Sequence, residues 1–148
     1  MRVYLDKCCY NRPFDDQNQA RIHFETEAIA TFFDLYKFQG WTLISSEVID
    51  LETDDDSNVE RQEAVRLYSD SAQEYIYVDE RIGGRAAELE NLGFKARDAL
   101  HVACAEGAHA TVLLTTDDQL LKKANKHKAL LRVQVENPIT WIERGLQI

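Results

Sequence analysis

Residues 96–118 read ARDALHVACAEGAHATVLLTTDD and decide the fold. Apolar and small residues at positions 99, 100, 102, 103 and 104 recur at helical spacing, so the pattern predicts a helix over Ala96–Gly107. The β-rich run Thr111–Leu114 predicts a short strand, and the hydroxyl and carboxylate residues Thr115–Asp117 are typical caps of a following helix. A helix, a strand and a second helix in succession indicate an α/β domain.

The rest of the chain repeats this alternation. Further strands are predicted over residues 2–5, 41–44 and 131–135, and residues 75–78 form either a strand or an extended link. Further helices are predicted over residues 17–38, 59–72 and 81–92, from Glu47 and from Pro138. We therefore expect a single domain over residues 1–148, with a central, mainly parallel sheet between two helical layers.

Composition excludes several classes of protein. Only 2 prolines and 6 glycines argue against a disordered chain. The three cysteines, Cys8, Cys9 and Cys104, are too few and badly spaced for a disulfide framework or a zinc site, so we expect free thiols. We see no signal peptide and no apolar run of about 18 residues, and we expect a cytoplasmic protein without a membrane contact.

The net charge of −9 argues against binding nucleic acid through a global positive field. The charge is uneven, however, because residues 81–148 carry 10 basic and 8 acidic side chains. These basic residues form two groups: Arg81, Arg85, Lys95 and Arg97, and Lys122, Lys123, Lys126, Lys128 and Arg132. The groups are either solvated helix faces or phosphate contacts, and the sequence favours neither.

Four acidic residues are expected at one edge of the sheet. Asp6, Glu47 and Asp117 each follow a predicted strand, and Asp98 lies in the first turn of a predicted helix. Sites in parallel α/β sheets form beyond the carboxyl ends of the strands, so these side chains can converge. Asp98, Asp117 and Glu47 are also ordinary helix-start residues, whereas Asp6 ends a buried strand, where an unpaired carboxylate is costly. Clustered carboxylates need a cation, and oxygen ligands suit Mg²⁺ or Mn²⁺.

The ordered set of these segments resembles the PIN-domain family over nearly the whole chain. The most specific pieces are the Asp-Ala-Leu-His-Val-Ala helix start at 98–103 and the Leu-Thr-Thr-Asp strand end at 114–117. The segments that carry the resemblance are Val3-Tyr4-Leu5-Asp6, Ser46-Glu47, the helix start from Ala96 to Ala103, Leu114 to Asp117, and Glu136-Asn137-Pro138.

The resemblance implies a compact α/β/α nuclease that commonly acts on RNA, a family that includes the VapC-type toxins of toxin–antitoxin pairs. It implies that Asp6, Glu47, Asp98 and Asp117 are the catalytic, metal-binding positions for Mg²⁺ or Mn²⁺, accompanied by the hydroxyl of Thr116. It also implies hydrolysis of phosphodiester bonds to 5′-phosphate and 3′-hydroxyl ends, an RNA substrate, an antitoxin partner and a homodimer. Asn137 lies in the closing segment and receives no catalytic role.

The sequence departs from the family at one place. Many members carry a small hydroxyl residue and then Asn after the first Asp, where this chain has Lys7 and Cys8. The sequence leaves three roles open for Lys7: an ion pair with Asp6, a contact with phosphate, or a position that faces solvent. Asp118 competes with Asp117 for the last acidic position, and we prefer Asp117 because neighbouring residues point in different directions.

Two other functions compete with the nuclease. A PIN-like RNA-binding or regulatory module with weak or lost cleavage would result if Lys7 occupied the metal position. A response-regulator receiver also clusters aspartates at strand ends, but it needs a lysine after a late strand, where this chain has Glu136 and Asn137.

Two further expectations concern single side chains. His101 lies three residues after Asp98, so a catalytic role is open, although a structural histidine within the helix is favoured. The aromatic residues Phe32, Phe33, Tyr36 and Phe38 either fill the core or form the surface of a homodimer.

Overall fold

A computed structural model describes residues 1–146. Its centre is a five-stranded sheet in which every neighbouring pair of strands is parallel. The strands are β1 (Arg2–Leu5), β2 (Thr42–Ser46), β3 (Glu74–Ile76), β4 (Val112–Leu114) and β5 (Gln134–Glu136). Parallel strands need crossover connections, and helices supply them here.

Eight α-helices lie in the described part of the chain. They are α1 (Lys7–Asn11), α2 (Ala20–Leu35), α3 (Glu47–Asp54), α4 (Val59–Ser69), α5 (Glu80–Asn91), α6 (Ala96–Gly107), α7 (Asp118–Lys126) and α8 (Pro138–Leu146). Short 3₁₀ turns cover Arg12–Phe14 and Lys128–Leu130. The predicted three-layer α/β/α fold with a central parallel sheet is confirmed.

The strand order β3-β2-β1-β4-β5 places β1 at the centre of the sheet. Val3, Tyr4 and Leu5 have no exposed surface, and neither do Leu113 and Leu114 on the neighbouring strand. These fully apolar strands are covered on both faces, as a parallel sheet requires. The chain adds β2 and β3 on one side of β1 and then β4 and β5 on the other, so a crevice opens beyond the carboxyl ends of β1 and β4.

The segment after β1 differs from the sequence prediction. The sequence pattern assigned no helix between β1 and residue 17, but α1 begins directly after Asp6 and a 3₁₀ turn follows it. The Asp6 side chain accepts a hydrogen bond from the Lys7 backbone amide and so caps α1. Pro13 is tolerated because it lies in the first turn of the 3₁₀ helix, where its missing amide proton is not needed.

Most of the aromatic residues of α2 belong to the core. Phe32 is fully buried and stacks on Tyr36 and on Trp41, and it also contacts Trp141 of α8. Phe38, by contrast, is 90% exposed. Most of the aromatic residues that suggested a dimer surface therefore pack in the core. Phe38 is exposed and Phe33 is only partly buried.

All three cysteines are free thiols, as predicted. Within residues 1–146, no helix is long and apolar enough to cross a membrane.

Candidate active site

Asp6 lies at the carboxyl end of the central strand and is 6% exposed. Its Oδ1 accepts the Lys7 backbone amide at 2.8 Å, and its Oδ2 accepts the Thr115 hydroxyl at 2.8 Å. The Cys8 thiol lies 3.4 Å from the same Oδ2. These donors hold the Asp6 carboxylate in one orientation and offset the cost of its burial.

Asp98 lies in the first turn of α6 and is half-buried. No donor within the described residues hydrogen-bonds to its carboxylate, in contrast to Asp6. Burial first, and then the negative charges of Asp6 and Asp117, together raise the pKa of Asp98 to about 6. The three aspartates predicted from the sequence therefore act on one another at this edge of the sheet.

Asp117 caps α7, and its Oδ1 accepts the backbone amides of Gln119 and Leu120 at 2.9 and 3.3 Å. Asp118 points elsewhere, because both its oxygens accept hydrogen bonds from Arg21 at 2.6 and 2.7 Å. Of these two neighbouring aspartates, Asp117 is the one whose charge acts on Asp98.

Glu47 does not join these aspartates. It begins α3 directly after β2, as predicted, but its Oε1 accepts the backbone amide of Val78 at 3.2 Å, beyond the end of β3. Burial is the main cause of the raised pKa of Tyr75 and of Cys104, and the charge of Glu47 adds to both, whereas Glu47 is absent from the charges that act on Asp98. The Glu47 carboxylate thus lies beyond the carboxyl end of β3, at the same edge of the sheet but to the side of the aspartates.

Glu52, on the same helix, reaches the acidic centre instead. Its carboxylate forms a hydrogen bond with Nε2 of His101, and that nitrogen also lies 3.5 Å from Oδ1 of Asp6. Burial alone would raise the pKa of Glu52, but the hydrogen bond and the charge of His101 outweigh it and lower the pKa. The sequence analysis did not include Glu52 among the candidate site residues.

Helical spacing could have identified Glu52. Val48 and Ile49 of α3 are buried, and Glu52 follows them by four and three residues, so it shares their inward face. Glu47 lies one position before this face and turns toward β3.

His101 connects the acidic centre to the core. It is 1% exposed, its Nδ1 lies 2.7 Å from the Tyr4 hydroxyl, and that hydroxyl lies 2.6 Å from Oγ of Ser46. Burial opposes protonation of His101, but the charge of Asp6 and the hydrogen bond with Glu52 prevail and raise its pKa. The histidine is buried, as favoured from the sequence, and it also touches two of the acidic residues.

No protein-family model matches the sequence, and a search of curated proteins found no match. Solved structures do match over nearly the full length of the chain. FitAcB from Neisseria gonorrhoeae is 16% identical, with a TM-score of 0.58 over 92% of this chain and 97% of that one. The chain has a PIN-like fold. VapBC2 from Rickettsia felis, bound to a DNA fragment from its promoter, is 17% identical, with a TM-score of 0.56 over 93% and 98%. VapBC-1 from nontypeable Haemophilus influenzae is 14% identical, with a TM-score of 0.58 over 93% and 98%.

Lys7, which directly follows Asp6, is buried. Its ammonium donates a 2.7 Å hydrogen bond to Oδ1 of Asn11 and lies 3.8 Å from Oδ2 of Asp56. Burial lowers the pKa of Lys7. The ammonium therefore neither pairs with Asp6 nor faces solvent.

The hydroxyl that contacts Asp6 belongs to Thr115. The Thr116 backbone instead donates to the Cys8 sulfur and accepts from Arg21. Asn137 has a structural position: it accepts the amide of Ile139 at the start of α8 and donates to the fully buried Glu25.

The donor set of this PIN-like edge suits a hard divalent cation. Within the described residues, no group of three or more His, Cys, Asp or Glu side chains is already arranged to hold a metal ion. Mg²⁺ needs no such group, because it keeps several waters and is commonly held by one or two carboxylates and by substrate phosphates. Asp98 fits this role, since its half-buried carboxylate accepts no hydrogen bond from residues 1–146 and is repelled by Asp6 and Asp117.

Proposed function

We propose that this chain is a divalent-metal-dependent endoribonuclease, a hydrolase of RNA phosphodiester bonds. The observation that carries the proposal is the Asp98 carboxylate, whose pKa is raised to about 6 by burial and by Asp6 and Asp117 on a PIN-like fold. A bound cation would relieve this repulsion, and carboxylate oxygens favour Mg²⁺ or Mn²⁺.

Asp6 and Asp98 are the proposed direct ligands, and Glu52 and Asp117 would bind directly or through water. Glu52 replaces Glu47 in this set because it contacts His101 beside Asp6, whereas Glu47 is bonded to Val78. When bound, the metal would lower the pKa of a coordinated water and offset charge on the leaving oxygen.

The protein's own residues orient these ligands. The Thr115 hydroxyl and the Lys7 amide fix the two oxygens of Asp6. His101 balances the charge of Glu52 and Asp6, and Tyr4 holds the imidazole ring from the core side. Hydrogen bonds of this kind commonly orient metal ligands, and their loss weakens metal binding or activity about 10- to 100-fold.

Water attack in line with the leaving group would break the bond between phosphorus and the 3′ oxygen. The products would be a 5′-phosphate on one fragment and a 3′-hydroxyl on the other. This outcome is part of the proposal and follows from the family resemblance.

We infer further that the chain is the toxin of a toxin–antitoxin pair. The VapBC and FitAB neighbours are toxin–antitoxin complexes, which supports an antitoxin as the partner. A homodimer is proposed on the same resemblance.

The alternative of a non-cleaving RNA-binding module rested on Lys7 occupying the metal position. The Lys7 ammonium is directed to Asn11 and Asp56, away from the Asp6 carboxylate. This observation favours the nuclease over the module.

The test is cleavage of single-stranded RNA by purified protein in Mn²⁺, in Mg²⁺ and in EDTA, with Asp98→Asn as the control variant. We expect wild type to cleave in either metal and not in EDTA, and the variant to be inactive. Cleavage that persists in EDTA, or equally in Asp98→Asn, would reject the metal-dependent mechanism.

A further inference from the structure

A groove lined by lysines opens beside Asp98. It lies between α7 and the turn that connects α5 to α6, and it encloses about 410 Å³. Phe94 and Leu120, both nearly fully buried, form its floor. Its basic residues are Lys95, Lys122, Lys123 and Lys126.

These four lysines are available to an external anion. Within the described residues, none of their ammonium groups forms an ion pair or a side-chain hydrogen bond, and Lys95, Lys122 and Lys126 are exposed. Asp98 is the one acidic residue that lines the groove. A chain with a net charge of −9 thus carries a local positive surface directly at its acidic centre.

The groove on the other side of the centre is different. It encloses about 300 Å³ and is lined by three basic and three acidic residues, among them Asp55 and Asp56. Its arginines are already paired, Arg61 with Asp56 at 2.6 Å and Arg97 with Asp55 at 3.5 Å. A polyanion that approaches the centre therefore finds unpaired positive charge only on the α7 side among the residues described.

Gly93 and Lys123 shape the mouth of the lysine groove. Gly93 adopts φ +104°, a conformation that L side chains rarely adopt. A Cβ atom at this position would lie 3.0 Å from Nζ of Lys123, so the glycine lets the lysine lie across the turn. The turn and α7 are thus in contact at the mouth of the groove.

We propose that this groove binds the phosphate backbone of single-stranded RNA on one side of the scissile bond. The inference rests on the proposed nuclease function and adds the path of the strand. Lys122 and Lys126 are one helical turn apart on α7 and can contact neighbouring phosphates. Lysine contacts to phosphate carry no sequence information, so the groove positions the strand without selecting bases.

The test is binding of a fluorescein-labelled single-stranded RNA 12-mer in EDTA, followed by anisotropy at several salt concentrations. The variant is Lys122→Gln with Lys126→Gln, two exposed positions. The control is Lys37→Gln with Arg81→Gln, which removes the same charge from two other exposed positions. Lys37 precedes β2 and so lies at the opposite edge of the sheet.

We expect the groove variant to bind at least about tenfold more weakly and to lose about 1.4 from the slope of log K against log salt, at ~0.7 per phosphate contact. The control should match wild type. Equal affinity and slope in wild type and groove variant would overturn the proposal, as would an equal loss in the control.

Two further measurements separate the inference from the proposed function. RNA binding that depends on the lysines, without cleavage in Mn²⁺, would reject the nuclease and keep the groove. Cleavage with unchanged binding by the groove variant would keep the nuclease and reject the groove. A poly-glutamate peptide that binds the same lysines when the RNA does not would show that the groove takes an acidic protein segment, which also rejects the proposal.

Discussion

The Thr115 hydroxyl donates a 2.8 Å hydrogen bond to the Asp6 carboxylate, although 109 positions separate the two residues in sequence. The bond joins the ends of the adjacent strands β1 and β4 at the centre of the sheet. Asp98, which faces the same centre, has no comparable donor within the described residues. The two aspartates should therefore respond differently to the loss of their charge.

We expect Asp6→Asn to lower the free energy of unfolding in EDTA by about 1–3 kcal/mol, because an amide cannot accept all the hydrogen bonds of the carboxylate. Asp98→Asn should leave this free energy unchanged or raise it, since it removes repulsion. Urea unfolding of both variants and wild type gives the comparison. An equal and large loss in both would mean that Asp98 is a structural carboxylate.

The contribution of Asp98 to stability should fall as pH rises from about 4 to 7. The folded-state pKa of Asp98 is about 6, above its usual 3.8, so the folded protein binds the proton more tightly than the unfolded chain. The favourable contribution is complete below the unfolded pKa and is lost as pH rises through the folded one. After allowance for the partial exposure of Asp98, the free energy of unfolding of Asp98→Asn should increase relative to that of wild type by about 1–2 kcal/mol between pH 4 and 7. A difference that stays constant with pH would contradict the assignment.

With Mn²⁺ bound, wild type should become more stable than Asp98→Asn. A cation that binds the folded protein stabilises it by mass action, by about 2.7 kcal/mol at 100 times its Kd. We expect thermal melting of wild type to rise in Mn²⁺ and that of Asp98→Asn to rise much less. Equal stabilisation of both would place the metal elsewhere.

Glu52→Gln and Glu47→Gln form a matched pair, since both remove one charge from α3. We expect Glu52→Gln to reduce Mn²⁺-dependent RNA cleavage about 10- to 100-fold, because Glu52 contacts His101 beside Asp6. Glu47→Gln should cleave within a few-fold of wild type, since its carboxylate is bonded to Val78. The reverse result would restore Glu47 as the acidic position.

Tyr4→Phe should destabilise the protein by about 1–3 kcal/mol, because it removes the hydroxyl that contacts both His101 and Ser46. It should also slow cleavage, since His101 then holds Glu52 less firmly. Tyr10→Phe is the control: Tyr10 is also buried, but its hydroxyl has no partner within the described residues. Chemical unfolding and initial cleavage rates distinguish the two, and similar losses in both would point to simple packing.

Much of the fold, and the placement of Asp6, Asp98 and Asp117 at one edge of the sheet, could be predicted locally. Apolar runs set β1 and β4, and the residues that end them, Asp6 and Asp117, must lie at the carboxyl edge of a parallel sheet. The start of the helix that contains Asp98 could also be predicted, because the helical spacing of its apolar residues and the strand that follows define the direction of α6. These features depend on the order of residues along one element.

Orientation about a helix axis is different, because it depends on what the helix packs against. The sequence places Glu47 and Glu52 on one helix, but the packing of α3 beside α6 decides that Glu52 meets His101 while Glu47 turns to Val78. The same holds for Lys7, whose ammonium is directed by Asn11 and Asp56 and not by its neighbour Asp6. Sequence alone determined which edge of the sheet carries the acidic residues; tertiary packing decided which carboxylates face one another there, because contacts between distant elements fix side-chain direction.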